Sequence, residues 1–483
     1  MAAAAALASQ LEWLTGCGTS GKPPSEGDWH DLRTRLQGRL VRPGQPGFAA
    51  LNLPVNARYA DIRPAGIAVC AGPEDVRQSI LWARDYNLPA VARSGGHSYA
   101  GFSSTRGLLL DVTSLDDVDV SNVDGTATIG PGARLGHVYE HLRPYGVAVP
   151  AGRCPSVGVA GLTLGGGFGP GARTFGLTAD SLLEAQVATA DGQILVCSEK
   201  ENPDLFWACR GGGGGNFGIT TSFTFRTHPV GSVALYDLEW DWAQARTVVA
   251  ALQDIAIEAP DEWSLVIRLG AVGHAGHTRR TVGAQGQLFG PRRELLSILD
   301  PLLSTTSPRR RLIAQRTFWE ASNALAESAP RGLFAVKSNF VAEPLPAVAI
   351  STLVDAVERW PGNSSPEGAG VTLDAWGGAI QNLKPTATAF FHRRARFLLS
   401  YDTSWGRSDP RALVSANLDW LDRLAHDVRR YVSREAYQNF TDPSLRGWAR
   451  AYYGDNLERL VAVKKQVDPD DYFRFRQSIP THV

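Results

Sequence analysis

Two stretches decide the fold: Arg93-Ser94-Gly95-Gly96-His97-Ser98, and further along Gly152-Arg153-Cys154-Pro155-Ser156-Val157-Gly158-Val159-Ala160-Gly161. In the first, consecutive glycines let backbone N–H groups converge into an anion-binding nest that suits a pyrophosphate. It is not the G-x-G-x-x-G fingerprint of a Rossmann domain, and no dinucleotide-type helix follows it. In the second, a cysteine sits inside a glycine-rich turn, open to whatever approaches the backbone. Structural cysteines normally lie among apolar neighbours. Cys154 is therefore the cysteine read as functional. Cys70, in an apolar run, reads as inert core, and Cys17, Cys197 and Cys209 are assigned no role. Five cysteines leave at least one unpaired. No CxxC pair and no His/Cys zinc spacing occurs, so no structural metal is expected.

Outward from these loops, short apolar runs alternate with helical patterns. Residues 64–72 read as a buried strand bounded by Gly and Pro. Pro73-Glu74-Asp75 opens a helix, with proline and acids in its first turn. Residues 89–92 form a strand that runs into His97, which places the first motif on a loop where binding residues concentrate. Residues 107–112 and 126–130 read as strands and 134–144 as an amphipathic helix. Residues 183–189 and 193–197 form a hairpin around Asp191-Gly192, and 217–226 form another strand. Past Pro229 the texture changes to strands such as 264–269, 280–288 and 396–401, mixed with helices such as 294–303 and 345–360. A helix over 456–466 closes the chain. The pattern is α+β.

Composition bounds the function. The chain has 483 residues, is 43% hydrophobic and 20% charged, and has zero formal net charge. A nucleic-acid binder would carry a net basic face. No stretch is long enough for a membrane span. Residues 1–16 are Ala/Leu-rich and precede Cys17, without the basic residues of an export signal and with Glu12 in the run. They read equally as a signal remnant or a helical arm, which leaves the compartment open between exported and cytoplasmic. Two Asn-x-Ser/Thr sequons, at Asn363 and Asn439, are read as coincidental.

Taken in order, the motifs resemble those of the berberine bridge enzyme-like family. Arg-Ser-Gly-Gly-His and Gly-x-Cys-x-x-Val-Gly are followed by Gly167-Phe168-Gly169, by 175–180, by 211–218 and by Trp376-Gly377-Gly378-Ala379-Ile380. Tyr452 to Leu460 and Asp468 to Phe473 close the series. The resemblance spans the chain from about residue 45. It implies a vanillyl-alcohol oxidase fold: an arm at 1–45, a two-subdomain FAD-binding domain of the PCMH type at 46–228, and a substrate domain at 229–430 with an antiparallel sheet covered by helices. A last segment, 431–483, would return to the FAD domain. It also implies FAD attached twice, through the 8α-methyl to His97 and through C6 to Cys154. Around the cofactor it puts Arg93, Ser94, Gly95, Gly96, Ser98 and Gly101, then Val157, Gly158, Gly161, Gly167, Phe168, Ala179 and Asp180. Asn216, Gly218 and Ile219 fall near the adenosine, and Asn456 comes from the last segment.

The implied reaction is oxidation of an alcohol, with hydride passing to flavin N5 and a protein base taking the hydroxyl proton. The family often carries Tyr-x-Asn-Tyr where this chain reads Tyr437-Gln438-Asn439-Phe440, and phenylalanine takes no proton. The base candidates are Tyr437, Tyr99 and Asp374. The resemblance further implies that Val157, three residues after Cys154, stands where a small residue goes with oxygen reactivity in the family, and hence with hydrogen peroxide as product. The expected substrate is a small molecule, carbohydrate or polyketide/alkaloid-like. An oxidative cyclase, a flavin dehydrogenase and a redox-inert flavin binder are the competing readings.

Overall fold

The computed structural model describes residues 23–482; Cys17 and the signal-like run lie outside them. The fold is α+β and contains three main sheets. The first has the strand order Arg39–Val41, Gly66–Val69, Leu108–Asp111, Ala90–Arg93, with its last three strands parallel. Its central strands are buried at every position, as continuous apolar runs in a covered parallel sheet should be. The helix Pro73–Asp85 makes the crossover, and its Asp75 carboxylate accepts backbone N–H bonds from Gln37, Gly38 and Ala71.

The described part of the presumed 1–45 arm belongs to this sheet. Helix Glu26–Arg35 packs Trp29 against Trp82 with ring centroids 4.5 Å apart, and Arg39–Val41 is the sheet's antiparallel edge strand. That boundary is corrected: a short helix with few apolar positions hid an element that docks through Trp29 and Leu32.

The second sheet is antiparallel, ordered Val118–Ser121, Thr126–Ile129, Ile219–Arg226, Leu182–Ala188, Ile194–Ser198. The hairpin turns at Asp191-Gly192, where Gly192 has φ +81°.

The third sheet has seven antiparallel strands: Arg310–Thr317, Ser232–Trp240, His277–Leu288, Val266–His274, Ala369–Ala375, Phe397–Trp405 and Leu333–Val341. Helices Ala245–Glu258, Arg292–Leu303, Ala347–Glu358 and Arg411–Val428 cover one face. Side chains alternate along a strand. Val371 and Leu373, with Leu399 and Tyr401, join the helix-side core, which turns Thr372, Asp374, Ser400 and Asp402 to the other face. On that face Asp374 meets Arg153 of the second glycine loop.

Candidate flavin site

The two glycine loops interlock. A Cβ on Gly95 would lie 2.3 Å from the backbone nitrogen of Gly158, and one on Gly158 would lie 2.0 Å from Ser94 Oγ. No side chain fits at either position, so the backbones touch. Ser94 Oγ donates to the Pro131 carbonyl at 2.6 Å and pins the first loop. The contact brings His97 and Cys154 to one hydroxyl: His97 Nε2 lies 3.0 Å, and Cys154 Sγ 3.2 Å, from Ser156 Oγ. Burial, aided by the nearby Arg134 charge, holds the His97 imidazole down to about 4, so it is neutral at pH 7 with a free lone pair. Among the described residues, Cys70, Cys197 and Cys209 are buried and only Cys154 is partly open. Burial pushes the three buried thiols up, that of Cys197 to about 12.

A cavity of about 340 Å³ begins at these anchors. His97, Cys154, Ser94, Gly95, Gly96 and Ser98 line it, as do Val157, Gly158, Gly161 and Phe168. At its far end Asn216, Gly218 and Ile219 line it beside the glycine run 213–215. The C-terminal segment holds that run in place. Asn216 Nδ2 donates to the Gly212 carbonyl, Asn216 Oδ1 accepts from the Ile479 N–H, and the Asn216 carbonyl accepts from Lys464 Nζ.

Six residues expected at the cofactor stand behind the wall instead. Arg93 is buried and spends its guanidinium on the carbonyls of Leu51, Asn52 and Ser103 and on Ser104 Oγ. Gly101 makes room for the Tyr59 ring. Gly167 donates its N–H to Tyr437 Oη at 3.0 Å. The Ala179 N–H donates to the Gly166 carbonyl, and Asp180 forms a two-point ion pair with Arg393. Asn456 Nδ2 donates to the carbonyls of Pro385, Thr388 and Ala389.

Comparisons with known proteins give the family. The profile described as "FAD binding domain" matches residues 64–198, and "Berberine and berberine like" matches residues 436–480. An FAD-linked oxidoreductase of Bacillus subtilis, YgaK, is 35% identical over 459 residues, covering 93% of this chain and 98% of its own. The chain belongs to the berberine bridge enzyme-like family of FAD-linked oxidoreductases. A xylooligosaccharide oxidase of Thermothelomyces thermophilus is 31% identical over 446 residues, covering 86% of this chain and 87% of its own. The solved structure of Physcomitrella patens BBE-like 1 superposes with a TM-score of 0.85 at 29% identity, covering 94% of this chain and 99% of that one.

In this berberine bridge enzyme-like protein part of the cavity wall is aromatic. Phe440 stacks on Tyr99 with centroids 5.6 Å apart, and Phe168 meets Phe440 edge-on at 6.0 Å. Of the three base candidates, Tyr437 and Tyr99 line the cavity and Asp374 does not. Burial pushes both phenols well above their ordinary value, so both are protonated at neutral pH. Asp374 faces the right way but ends in an ion pair, its Oδ1 accepting from Arg153 at 3.0 Å. Glu327 was missed by the sequence reading. It lines the cavity and accepts from Arg153 Nε at 3.0 Å. The one signal for it was Arg153 itself, a cation in a glycine loop that calls for a counter-charge.

Both sequon asparagines are engaged: Asn363 Nδ2 bonds Asn417 Oδ1, and Asn439 Nδ2 bonds the Leu162 carbonyl. Among the described residues no group of three or more His, Cys, Asp or Glu side chains is arranged to hold a metal, and no helix is long and apolar enough to cross a membrane.

Proposed function

We propose that this oxidoreductase holds FAD covalently through both His97 and Cys154 and oxidises an alcohol group of a small molecule, with dioxygen as final acceptor and hydrogen peroxide as product. The observation that carries the reading is the convergence of His97 and Cys154 on Ser156 Oγ, at 3.0 and 3.2 Å. Two side chains that share one hydroxyl are close enough for the 8α and C6 positions of one isoalloxazine ring to span them. A neutral imidazole and an accessible thiol are also the two nucleophiles such attachment needs.

When bound, FAD supplies the hydride acceptor. The chain's own residues do the rest. Ser94, Gly95 and Gly96 offer backbone donors toward the cofactor's phosphates, and the aromatic wall of Tyr99, Phe168 and Phe440 keeps water from the reacting face. Stacked rings also offer a flat apolar platform for the C–H face of a sugar or for an aromatic substrate. Relatives named as oligosaccharide oxidases support the sugar class, and Val157 in the cavity lining supports the oxygen reaction.

Acid precipitation tests the attachment. The pellet of the unaltered protein stays yellow, as do those of His97→Ala and Cys154→Ala. Only the double variant releases flavin to the supernatant. A colourless pellet from the unaltered protein sinks the bicovalent reading, while peroxide release on adding xylobiose tests the oxidase reading separately.

A further inference from the structure

We infer that Glu327 is the base that takes the substrate's hydroxyl proton, and that Arg153 is the positioning residue that holds it beside the flavin. The inference rests on the alcohol-oxidation reading above and names the group which that reading lacks.

Glu327 lies on the loop after helix Phe318–Ala324. Its backbone N–H donates to the Arg153 carbonyl at 3.2 Å, and its Oε1 accepts from Arg153 Nε at 3.0 Å. Two bonds to one residue fix both the loop and the carboxylate. Arg153 immediately precedes Cys154, the proposed C6 anchor, and Glu327 and Cys154 line the same cavity. In isoalloxazine C6 lies next to the ring carbon that bears N5, so attachment at Cys154 would put the reacting edge in the cavity that Glu327 lines.

Charge counting separates Glu327 from Asp374. A buried guanidinium needs one counter-charge. Asp374, with 5% of its side chain exposed, supplies it. Glu327 is a second carboxylate on the same cation, has 41% of its side chain exposed and opens onto the cavity. The groups facing it are Arg153 from the cysteine loop, Arg268 from Val266–His274, Asp374 from Ala369–Ala375, Asp402 from Phe397–Trp405 and the Tyr99 phenol. Burial lifts the Asp374 and Asp402 carboxyls above the usual range. The Arg153 guanidinium holds Glu327 below it. Of the three carboxylates only Glu327 lines the cavity, and it is the one whose neighbouring cation favours the ionised form.

The step balances. The substrate O–H bond breaks and its proton goes to a Glu327 carboxylate oxygen. The C–H bond on the same carbon breaks, and the hydrogen leaves with both electrons to the flavin. The C–O bond becomes a carbonyl, and the alcohol is oxidised by two electrons. Dioxygen then takes those two electrons, and with the hydrogen and the proton held on Glu327 leaves as hydrogen peroxide.

The test uses the flavin-loaded protein under anaerobic conditions with xylobiose, chitobiose and coniferyl alcohol as probes. Glu327→Gln is expected to keep its covalent flavin, to slow flavin bleaching about 100-fold or more, and to raise the flavin midpoint potential by removing a negative charge beside the ring. Glu327→Asp is expected to fall between the two and guards against a folding defect in the glutamine variant. Arg153→Met is expected to move the acid limb of the bleaching profile to higher pH, because Glu327 loses the cation that keeps it ionised, and Arg153→Lys to move it back. Bleaching of Glu327→Gln at the unaltered rate, or an unchanged midpoint potential, overturns the inference alone. Failure of all three alcohols to bleach the unaltered protein overturns the oxidation reading, and the inference with it.

Discussion

The two sides of the cavity are built by different means. The flavin side is backbone: Gly95 and Gly158 press main chain against main chain and leave no room for a Cβ. The substrate side is side chains, with Tyr99, Phe168, Phe440 and Glu327 reaching in from four separate segments. A backbone contact at van der Waals distance has one residue solution, glycine. A wall of side chains has many. The sharpest way to break this comparison is a pair of alanines in one loop. Gly158→Ala drives its methyl into Ser94 Oγ and the Gly95 nitrogen, whereas a Cβ at Gly161, three residues on, meets nothing within 4 Å. Gly158→Ala should part the loops and abolish covalent flavin. Gly161 lines the proposed flavin cavity, so Gly161→Ala is a control for the fold only: it should leave the fold intact and, at a helical position, stabilise it by up to about 1 kcal/mol. Acid-stable flavin absorbance and a melting curve decide both. Equal behaviour of the two variants would remove the contrast.

A smaller effect belongs to the joint between the sides. Asp180 comes from the flavin-binding half and Arg393 from the loop ahead of strand Phe397–Trp405, and they pair at 2.6 and 2.7 Å with Arg393 1% exposed. Truncating one partner of a buried pair leaves the other charge stranded, at a cost of roughly 3–5 kcal/mol. Arg393→Met should therefore lower the melting temperature by several degrees while the anchors His97 and Cys154, which it does not touch, still retain flavin. Loss of flavin in this variant would show that the halves assemble before the cofactor attaches.

The same contrast explains what the sequence disclosed. The glycine loops, the histidine and the cysteine were legible because steric need left residues of one kind at fixed spacing. Strands such as Gly66–Val69 and Leu108–Asp111 were legible because full burial made them uniformly apolar. Arg93, Asp180 and Asn456 were placed at the cofactor because they sit inside motifs. The motif holds them for a reason one layer deeper, where they satisfy backbone carbonyls or a buried arginine. Strand alternation puts Asp374 on the face away from the helices, yet periodicity carries no information about the Arg153 that intercepts it. Glu327 was invisible because its loop has no pattern of its own. Its meaning comes from Arg153, distant in sequence and adjacent only after folding.

The last test falls on Tyr437, one of the three base candidates named from the sequence. Its hydroxyl accepts from the Gly167 N–H at 3.0 Å and from Asn439 Nδ2 at 2.9 Å, and its ring packs edge-on to Phe168 and Phe440. A phenol that is protonated, and whose oxygen already receives two donors, holds the glycine turn in place and is not free to take a proton. Tyr437→Phe strands the Gly167 N–H, at a cost of about 1–3 kcal/mol, while Asn439 keeps its bond to the Leu162 carbonyl. Stability should fall by that amount, and anaerobic flavin bleaching should slow by less than about tenfold, well short of the effect expected of a general base. A loss of a hundredfold or more in Tyr437→Phe, with Glu327→Gln unchanged, would return the proton to the tyrosine and make the substrate side, like the flavin side, a site written in its motif.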